Sequence, residues 1–372
     1  MIKAAVMYGA GAPIAIEQIP EPDLGPGEML VSTIYSEVCG TDVHLRYSRL
    51  SGVPYPIIPG HISTGRVEKT GGTVTDINGD PIVADDVVTF LDVHNTCNRC
   101  WHCLVAKAST KCPQRKVYGV THSVQEGLMG GWAEKIHIRA DVRTVKLPKE
   151  VTPLRLIAGG CALPTALHAI ERADLKLGES VVIQGAGPVG LCAAILARRS
   201  GASKVLIIDK SAPRLRIAER FGLTPLQIDY ASAPTSHIEA VRDATGGRGA
   251  DVGIEAAGVP SAVKEGLSMV RDAGRYVMVG HYTDGGDVAI NPHLDINRRH
   301  MDIRGTWGID FSHFYKMVEV LRDAAPVHGA QARWEDLIGR IYPLDDVERA
   351  LDDVERGSVV KAVVAPNMLE RA

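Results

Sequence analysis

The chain has 372 residues, of which 45% are hydrophobic and 23% charged, and its formal net charge is −3. These values fit a globular protein with room for two domains, and they exclude a disordered chain and a basic nucleic-acid surface. No run of about 18 apolar residues offers a membrane span, and the opening MIKAAVMYGAG reaches Gly and Pro too early for a signal peptide. With seven cysteines in such a chain, a reducing, cytoplasmic compartment is expected, with thiols as metal ligands or core residues.

Short β-type runs separated by Gly and Pro turns come first: MLVSTIYS (29–36), STGRVEKTGG (63–72) and DVVTFLDV (86–93). They predict a barrel-like β domain. Near residue 160 the texture changes to alternating strands and helices. SVVIQ (180–184) reads as a buried strand, PVGLCAAILARRSG (188–201) as a helix, KVLIID (204–209) as a strand and PRLRIAERFG (213–222) as a helix. DVGIEAAG (251–258), a helix near 260–271 and GRYVMVG (274–280) continue the alternation, which predicts a parallel sheet with helices on both faces. A polar, His-rich stretch follows at 291–305. The tail then predicts helices near 311–324 and 344–356 and a strand over 359–366.

Within the β domain, Cys97, Cys100, Cys103 and Cys112 occur as C-x2-C-x2-C-x8-C. Four thiolates on one short loop can close a tetrahedral shell, and soft sulfur ligands select zinc, less often iron. Disulfide pairing suits the spacing and compartment poorly. A closed shell has no open position, so this lobe organises a loop and does no chemistry. His102 lies among the cysteines, but four sulfurs suffice.

The second strand-turn-helix carries Gly185-Ala186-Gly187-Pro188-Val189-Gly190, with Asp209 closing the next strand. A strand enters the motif and a helix leaves it, the context of a dinucleotide site. Gly185 suits the tight turn, Gly187 the approach of pyrophosphate and Gly190 the helix–strand contact. The helix N-terminus offers free N–H groups to phosphate. Asp209 can accept hydrogen bonds from a ribose and repels a 2′-phosphate, which favours NAD over NADP; Lys210 and Arg214 soften that preference.

Together these motifs resemble a zinc-containing medium-chain alcohol dehydrogenase, the family of sorbitol, threonine and butanediol dehydrogenases. The resemblance runs nearly end to end, through Cys39-Gly-Thr-Asp-Val-His44, Pro59-Gly60-His61, the cysteine lobe, Gly159-Gly160-Cys161, the glycine motif and Lys361. It implies an α/β fold: a GroES-like β-barrel catalytic domain (1–162 and 299–372, zinc lobe about 95–113) and a Rossmann doubly wound parallel sheet (163–298), with the zinc-bearing cleft between them. It implies a catalytic zinc on Cys39, His61 and Cys161, and so two zinc ions per chain. Two thiolates and an imidazole balance the ion's charge and leave a fourth position for an alcohol oxygen.

The same resemblance has Asp42 orient the His61 ring, Thr41 bond the reacting oxygen, and His44 pass the proton to water by way of the nicotinamide ribose. Thr165 and Val189 match positions beside the nicotinamide, or pack. His281, after what reads as the last strand, and Trp307 either line the cofactor and substrate pocket or pack. Position 62 departs from the family: Ile62 stands where a Glu is usual, which should leave the metal's surroundings less negative and strengthen its pull on a bound oxygen. Cys192 reads as core, and His293, His300 and His313 as surface or interface residues.

The expected activity is reversible oxidation of a secondary alcohol or polyol to a ketone with NAD, in a homodimer or homotetramer whose only partner is a small alcohol or ketone. An NADPH-dependent carbonyl or aldehyde reductase is the alternative within the fold. A non-catalytic nucleotide-binding structural or redox-sensing relative is the alternative outside enzymes. The joint presence of Cys39, His61, Cys161, Thr41 and His44 argues against the latter, and against a zinc-free quinone reductase.

Overall fold

The computed structural model describes residues 1–228, 235–323 and 332–368. The chain divides into two compact units. The first comprises Met1–Cys161, Asp310–Asp323 and the segment from Trp334, and the second is built on Ala162–Ile309.

In the first unit the main sheet runs Thr144–Lys146, Val87–Phe90, Ser63–Thr70, Met29–Val38, Lys361–Val364, Ile338–Tyr342, with Lys135–Ile138 also paired to Met29–Val38. The strand Met29–Val38, ten residues long, is shared. Its start pairs with Lys135–Ile138, and its end pairs with the C-terminal strand, where Val363 faces Glu37. Ser63–Thr70 also pairs along it. Side chains at alternate positions enter one core containing Met29, Val31, Val67, Val88, Phe90, Tyr118 and Ile136. Each such buried apolar side chain contributes about 1.5–3 kcal/mol relative to exposure.

The second unit holds a six-stranded sheet in the order Thr224–Gln227, Lys204–Asp209, Ser180–Gln184, Ala250–Glu255, Val270–Met278, Asp302–Gly305. All its pairings are parallel. The chain starts at the centre, builds one half outwards, then returns to build the other. The turning point therefore lies between Ser180–Gln184 and Ala250–Glu255, and loops at their carboxyl ends open there. The central strands are buried almost throughout, as expected where helices cover both faces. Pro188 and Pro260 each open a helix, where the missing N–H has no intrahelical partner to lose.

The end of this unit differs from the sequence expectation. Residues 299–309 do not return to the β unit, because Asp302–Gly305 pairs in parallel with Arg275–Met278 as a sixth strand. Val270–Met278 is thus not the last strand of the sheet. The added strand satisfies backbone groups that an open edge would expose, and the sequence DIRG has no apolar run to announce it. The next helices are Phe311–Arg322 and Val347–Glu355, and the final strand is Lys361–Val364; residue 324, the expected end of the first helix, lies outside the described residues. Among the described residues no helix is long and apolar enough to cross a membrane.

Gly190 is held by space. A Cβ there would stand 1.8 Å from the carbonyl oxygen of Gly185, so the helix could not remain against its strand. Gly190→Ala is expected to cost about 1–3 kcal/mol through overpacking, read as a lower denaturation midpoint in urea.

Candidate active site and metal centres

The four lobe cysteines each bring a sulfur to within 4.8 Å of the others. Cys100 Sγ stands 3.5 Å from Cys103 Sγ, and Cys112 Sγ 3.6 Å from Cys97 Sγ. All are free thiols. A disulfide needs about 2.05 Å, whereas sulfurs sharing one tetrahedral zinc stand about 3.8 Å apart. Local turns build this cage. Cys100 precedes the short helix Trp101–Leu104, Cys112 follows the turn Ser109–Lys111, and Asn95, Asn98 and Lys107 adopt left-handed backbone. The backbone N–H at Arg99 and the neighbouring thiols pull Cys97 down to about 6, while burial and the bond to Cys100 push Cys103 up to about 12. The His102 ring packs edge-on to Trp101 instead of joining the sulfurs.

A second cluster joins Cys39, His61 and Cys161, whose ligand atoms also lie within 4.8 Å of one another. Cys39 is the N-cap of the helix Gly40–Arg46, and its Sγ accepts the N–H of Thr41 at 3.3 Å. Cys39 Sγ and His61 Nε2 are 3.8 Å apart. The three side chains shift one another's protonation. Cys39 is held well below the usual thiol range by its bond from Cys161 and by the adjacent His61. Cys161 is raised well above that range by Cys39 and by burial. Burial, the largest single influence, would lower His61, but Cys39, Asp42 and Asp92 together outweigh it and raise the imidazole well above its ordinary value. Two soft sulfurs and an imidazole nitrogen converging on one point, with Cys39 and His61 buried and Cys161 half-buried, fit a single zinc ion and would leave one position open.

Asp42 sits differently from its expected role. Its Oδ2 accepts the backbone N–H of Cys39 at 2.9 Å, closing a capping box. Its Oδ1 and His61 Nδ1 are both buried without a hydrogen-bond partner, so the expected bond between them is not made. Oδ1 of buried Asp92 is a third such atom, and Asp92 also interacts electrostatically with His61. Thr41 and His44 lie on the same helix as Asp42. Partial burial and the nearby Arg49 lower the pKa of His44 below its ordinary value.

Ile62 is fully buried in a small apolar cluster with Ile157 and Val363, against which Cys161 packs. Ile62 itself brings no charge to the metal's surroundings, as expected of an apolar side chain, but a carboxylate is still present nearby. Glu37, from the neighbouring strand, supplies it. Its Oε2 accepts the N–H of Cys161 at 2.6 Å and its Oε1 takes Lys361 Nζ at 2.5 Å. The lysine charge offsets it. The sequence carried a signal for this pair: single charges inside the runs TIYSEVC and VVKAVV, which cannot be buried without a partner.

In the second unit Gly185 adopts φ +97°, which favours glycine. A Cβ on Gly187 would meet nothing within 4 Å, leaving the helix start at Pro188 and Val189 approachable. Asp209 is buried at its strand end, where Oδ2 accepts Ala186 N–H and Oδ1 accepts Ser211 N–H, each at 2.7 Å. Both oxygens keep a lone pair for a ribose. Lys210 is exposed, and Arg214 Nε is buried without a hydrogen-bond partner.

Sequence reasoning missed Glu255, which is fully buried at the end of its strand. It accepts N–H groups from Ala257, Gly258 and Gly280 at 2.7, 2.6 and 3.2 Å. It thereby ties together two loops beside Gly185. His281 Nε2 lies 3.7 Å from this carboxylate. Trp307 stacks on Tyr282 and donates to its carbonyl at 3.0 Å. Thr165 lies on the helix Ala162–Ala173. Cys192 is core, and His293 and His300 are exposed. His313, expected at a surface or an interface, is buried within the first unit; its Nδ1 accepts the N–H of Asp310 and caps a helix.

Residues 25–149 match the model of the alcohol dehydrogenase GroES-like domain, and residues 188–323 that of the zinc-binding dehydrogenases. The chain is 33% identical over 370 residues to 5-exo-hydroxycamphor dehydrogenase of Pseudomonas putida, covering 96% of this chain and 99% of that one. A crystal structure of an alcohol dehydrogenase from Thermotoga maritima superposes with a TM-score of 0.91 at 30% identity, covering 98% of this chain and 99% of that one. A protein described as a zinc-binding dehydrogenase from Sinorhizobium meliloti, solved bound to NADP, gives 0.84 at 27% identity and the same coverage.

The lobe thiols should differ in reactivity once metal is removed. In chelator-treated protein near pH 7, iodoacetamide should label Cys97 faster than Cys103, as read by peptide mass spectrometry. Equal rates at the two would contradict the electrostatic asymmetry of the lobe.

Proposed function

Because the chain belongs to the zinc-dependent medium-chain alcohol dehydrogenase family, we propose that it oxidises a secondary alcohol or polyol reversibly to a ketone with NAD. The observation that carries this reading is the convergence of Cys39, His61 and Cys161 on one point. Zinc held there would supply a positive charge that acidifies an alcohol hydroxyl or polarises a carbonyl. A bound nicotinamide would supply the hydride acceptor or donor. Cys97, Cys100, Cys103 and Cys112 would hold a second, closed zinc, giving two per chain.

The remaining work falls to side chains. Thr41, two residues after Cys39, would hydrogen-bond the reacting oxygen. His44, one turn further along the helix, would lose the proton to water. Its lowered pKa keeps it neutral, and so able to accept a proton, to a lower pH than an ordinary histidine. Gly185–Gly190 and the helix starting at Pro188 would take the pyrophosphate, Asp209 the adenosine ribose, and Thr165, Val189 and His281 the nicotinamide end. Trp307 would line the substrate pocket. The assembly would be a cytoplasmic homodimer or homotetramer.

One observation favours NADP as a second reading. Arg214 Nε is buried and unpartnered, a donor that a 2′-phosphate could use, and the Sinorhizobium meliloti structure holds NADP. Asp209 weighs the other way, since a carboxylate at a ribose repels that phosphate.

A screen of linear, cyclic and polyhydroxylated alcohols with NAD and with NADP, following reduced cofactor by absorbance, tests the reading. NAD should be preferred, and Asp209→Gly should shift the preference towards NADP; a parent that already prefers NADP would overturn the assignment of Asp209. Metal analysis should find two zinc ions per chain, and Cys100→Ser should lower the melting temperature more than it lowers kcat. His44→Ala should reduce alcohol oxidation about 100-fold, at the low end for a lost proton-transfer group, and should remove the acid limb of the pH profile.

A further inference from the structure

Among the described residues, Lys361 and Glu37 form an ion pair with both side chains essentially out of water, at 0% and 1% exposure. The pair follows from strand register. Val363 stands opposite Glu37, so Lys361, two residues before Val363, projects on the same face as a diagonal neighbour. The pair then reaches the chain around the third candidate ligand from both sides. Lys361 Nζ donates to the carbonyl of Gly159 at 3.3 Å, at the C-terminal end of the helix Pro153–Gly159, where a cation is favoured. Glu37 Oε2 accepts the N–H of Cys161 at 2.6 Å. Between these anchors Gly160 adopts φ +51°, and a Cβ on it would stand 2.2 Å from Glu37 Oε2 and 2.5 Å from Lys361 Nζ.

Glu37 itself is rigidly placed. Its N–H donates to the carbonyl of Ile62 at 3.0 Å, and its carbonyl accepts from Trp132 Nε1 at 3.2 Å. Ile62, the residue after His61, packs in the apolar cluster that Cys161 adjoins. One backbone segment therefore carries Cys39, borders His61 through Ile62, and grips Cys161 through a side chain.

The geometry points to Glu37 as a positioning residue: held by Lys361, its carboxylate fixes the main chain at Gly160–Cys161 so that the Cys161 sulfur meets Cys39 and His61. In this chain the carboxylate comes from the strand leading into Cys39, and position 62 carries an apolar side chain. The inference rests on the reading of Cys39, His61 and Cys161 as a zinc site. It adds a residue that touches neither substrate nor ion and acts through the third ligand.

The test separates the hydrogen bond to Cys161 from the charge pair. Two double variants of the full-length protein lack both charges: Glu37→Gln with Lys361→Met, which keeps an acceptor for the Cys161 N–H, and Glu37→Leu with Lys361→Met, which removes it. Affinity for zinc(II) is measured against a competing chelator, and the site is read by the sulfur-to-metal absorption of cobalt(II). The Gln variant should bind like the parent. The Leu variant should bind the second ion about 10–100-fold more weakly, the range for lost partners of metal ligands, and show an altered cobalt spectrum, with the lobe ion unchanged. Equal affinities and spectra in the two variants would overturn the inference and leave the pair a packing feature. If the Leu variant does not fold, Glu37→Ser with Lys361→Met replaces it, its hydroxyl being too short to reach Cys161. A parent that takes up only the lobe ion would instead refute the zinc-site reading itself.

Discussion

Two opposite charges removed from water are costly, by several kcal/mol per ion after relaxation, unless their remaining hydrogen bonds are met. Glu37 and Lys361 meet them with Cys161 N–H and Gly159 carbonyl. That requirement reaches far along the sequence. The C-terminal strand must return to pair beside Val38, the helix Pro153–Gly159 must end where the lysine can cap it, and residue 160 must be glycine. Truncating either partner would leave an uncompensated buried charge, the costly case for such pairs.

The same local economy appears at Cys39. A helix of seven residues is too short to be stable alone, and the capping box between Cys39 and Asp42 secures its first turn. The cap fixes the backbone that carries the Cys39 sulfur and places Thr41 and His44 on the following turns. Asp42 therefore acts on the site through a backbone N–H. Its second oxygen, an Asp92 oxygen and His61 Nδ1 remain as buried polar atoms without hydrogen bonds.

In the second unit the corresponding anchor is Glu255. Parallel strands leave their carboxyl ends to irregular loops, whose N–H groups need partners. One buried carboxylate at the centre of the sheet gathers three of them, holding the segments after two strands beside the Gly185 turn. Asp209 does the same on the other side with Ala186 and Ser211. The loops at this end are ordered by carboxylates that accept backbone N–H groups.

Local chemistry made much of this legible from the sequence. Four cysteines within one short stretch define a cage by spacing alone, and a strand, a glycine turn and a helix in succession define the nucleotide loop, because both depend on neighbours along the chain. The alternation of strands and helices after residue 160 fixed the class of the second unit for the same reason. Partners set by register between remote segments were not legible. That Lys361 faces Glu37 follows from which residue stands opposite Val363. The polar strand Asp302–Gly305 is recruited by an open sheet edge, and Asp42 turns to a backbone N–H instead of to His61. Ile62 looked like the loss of a carboxylate; the tertiary structure showed the carboxylate arriving from an adjacent strand, because a folded core constrains which charges meet and is indifferent to which segment supplies them.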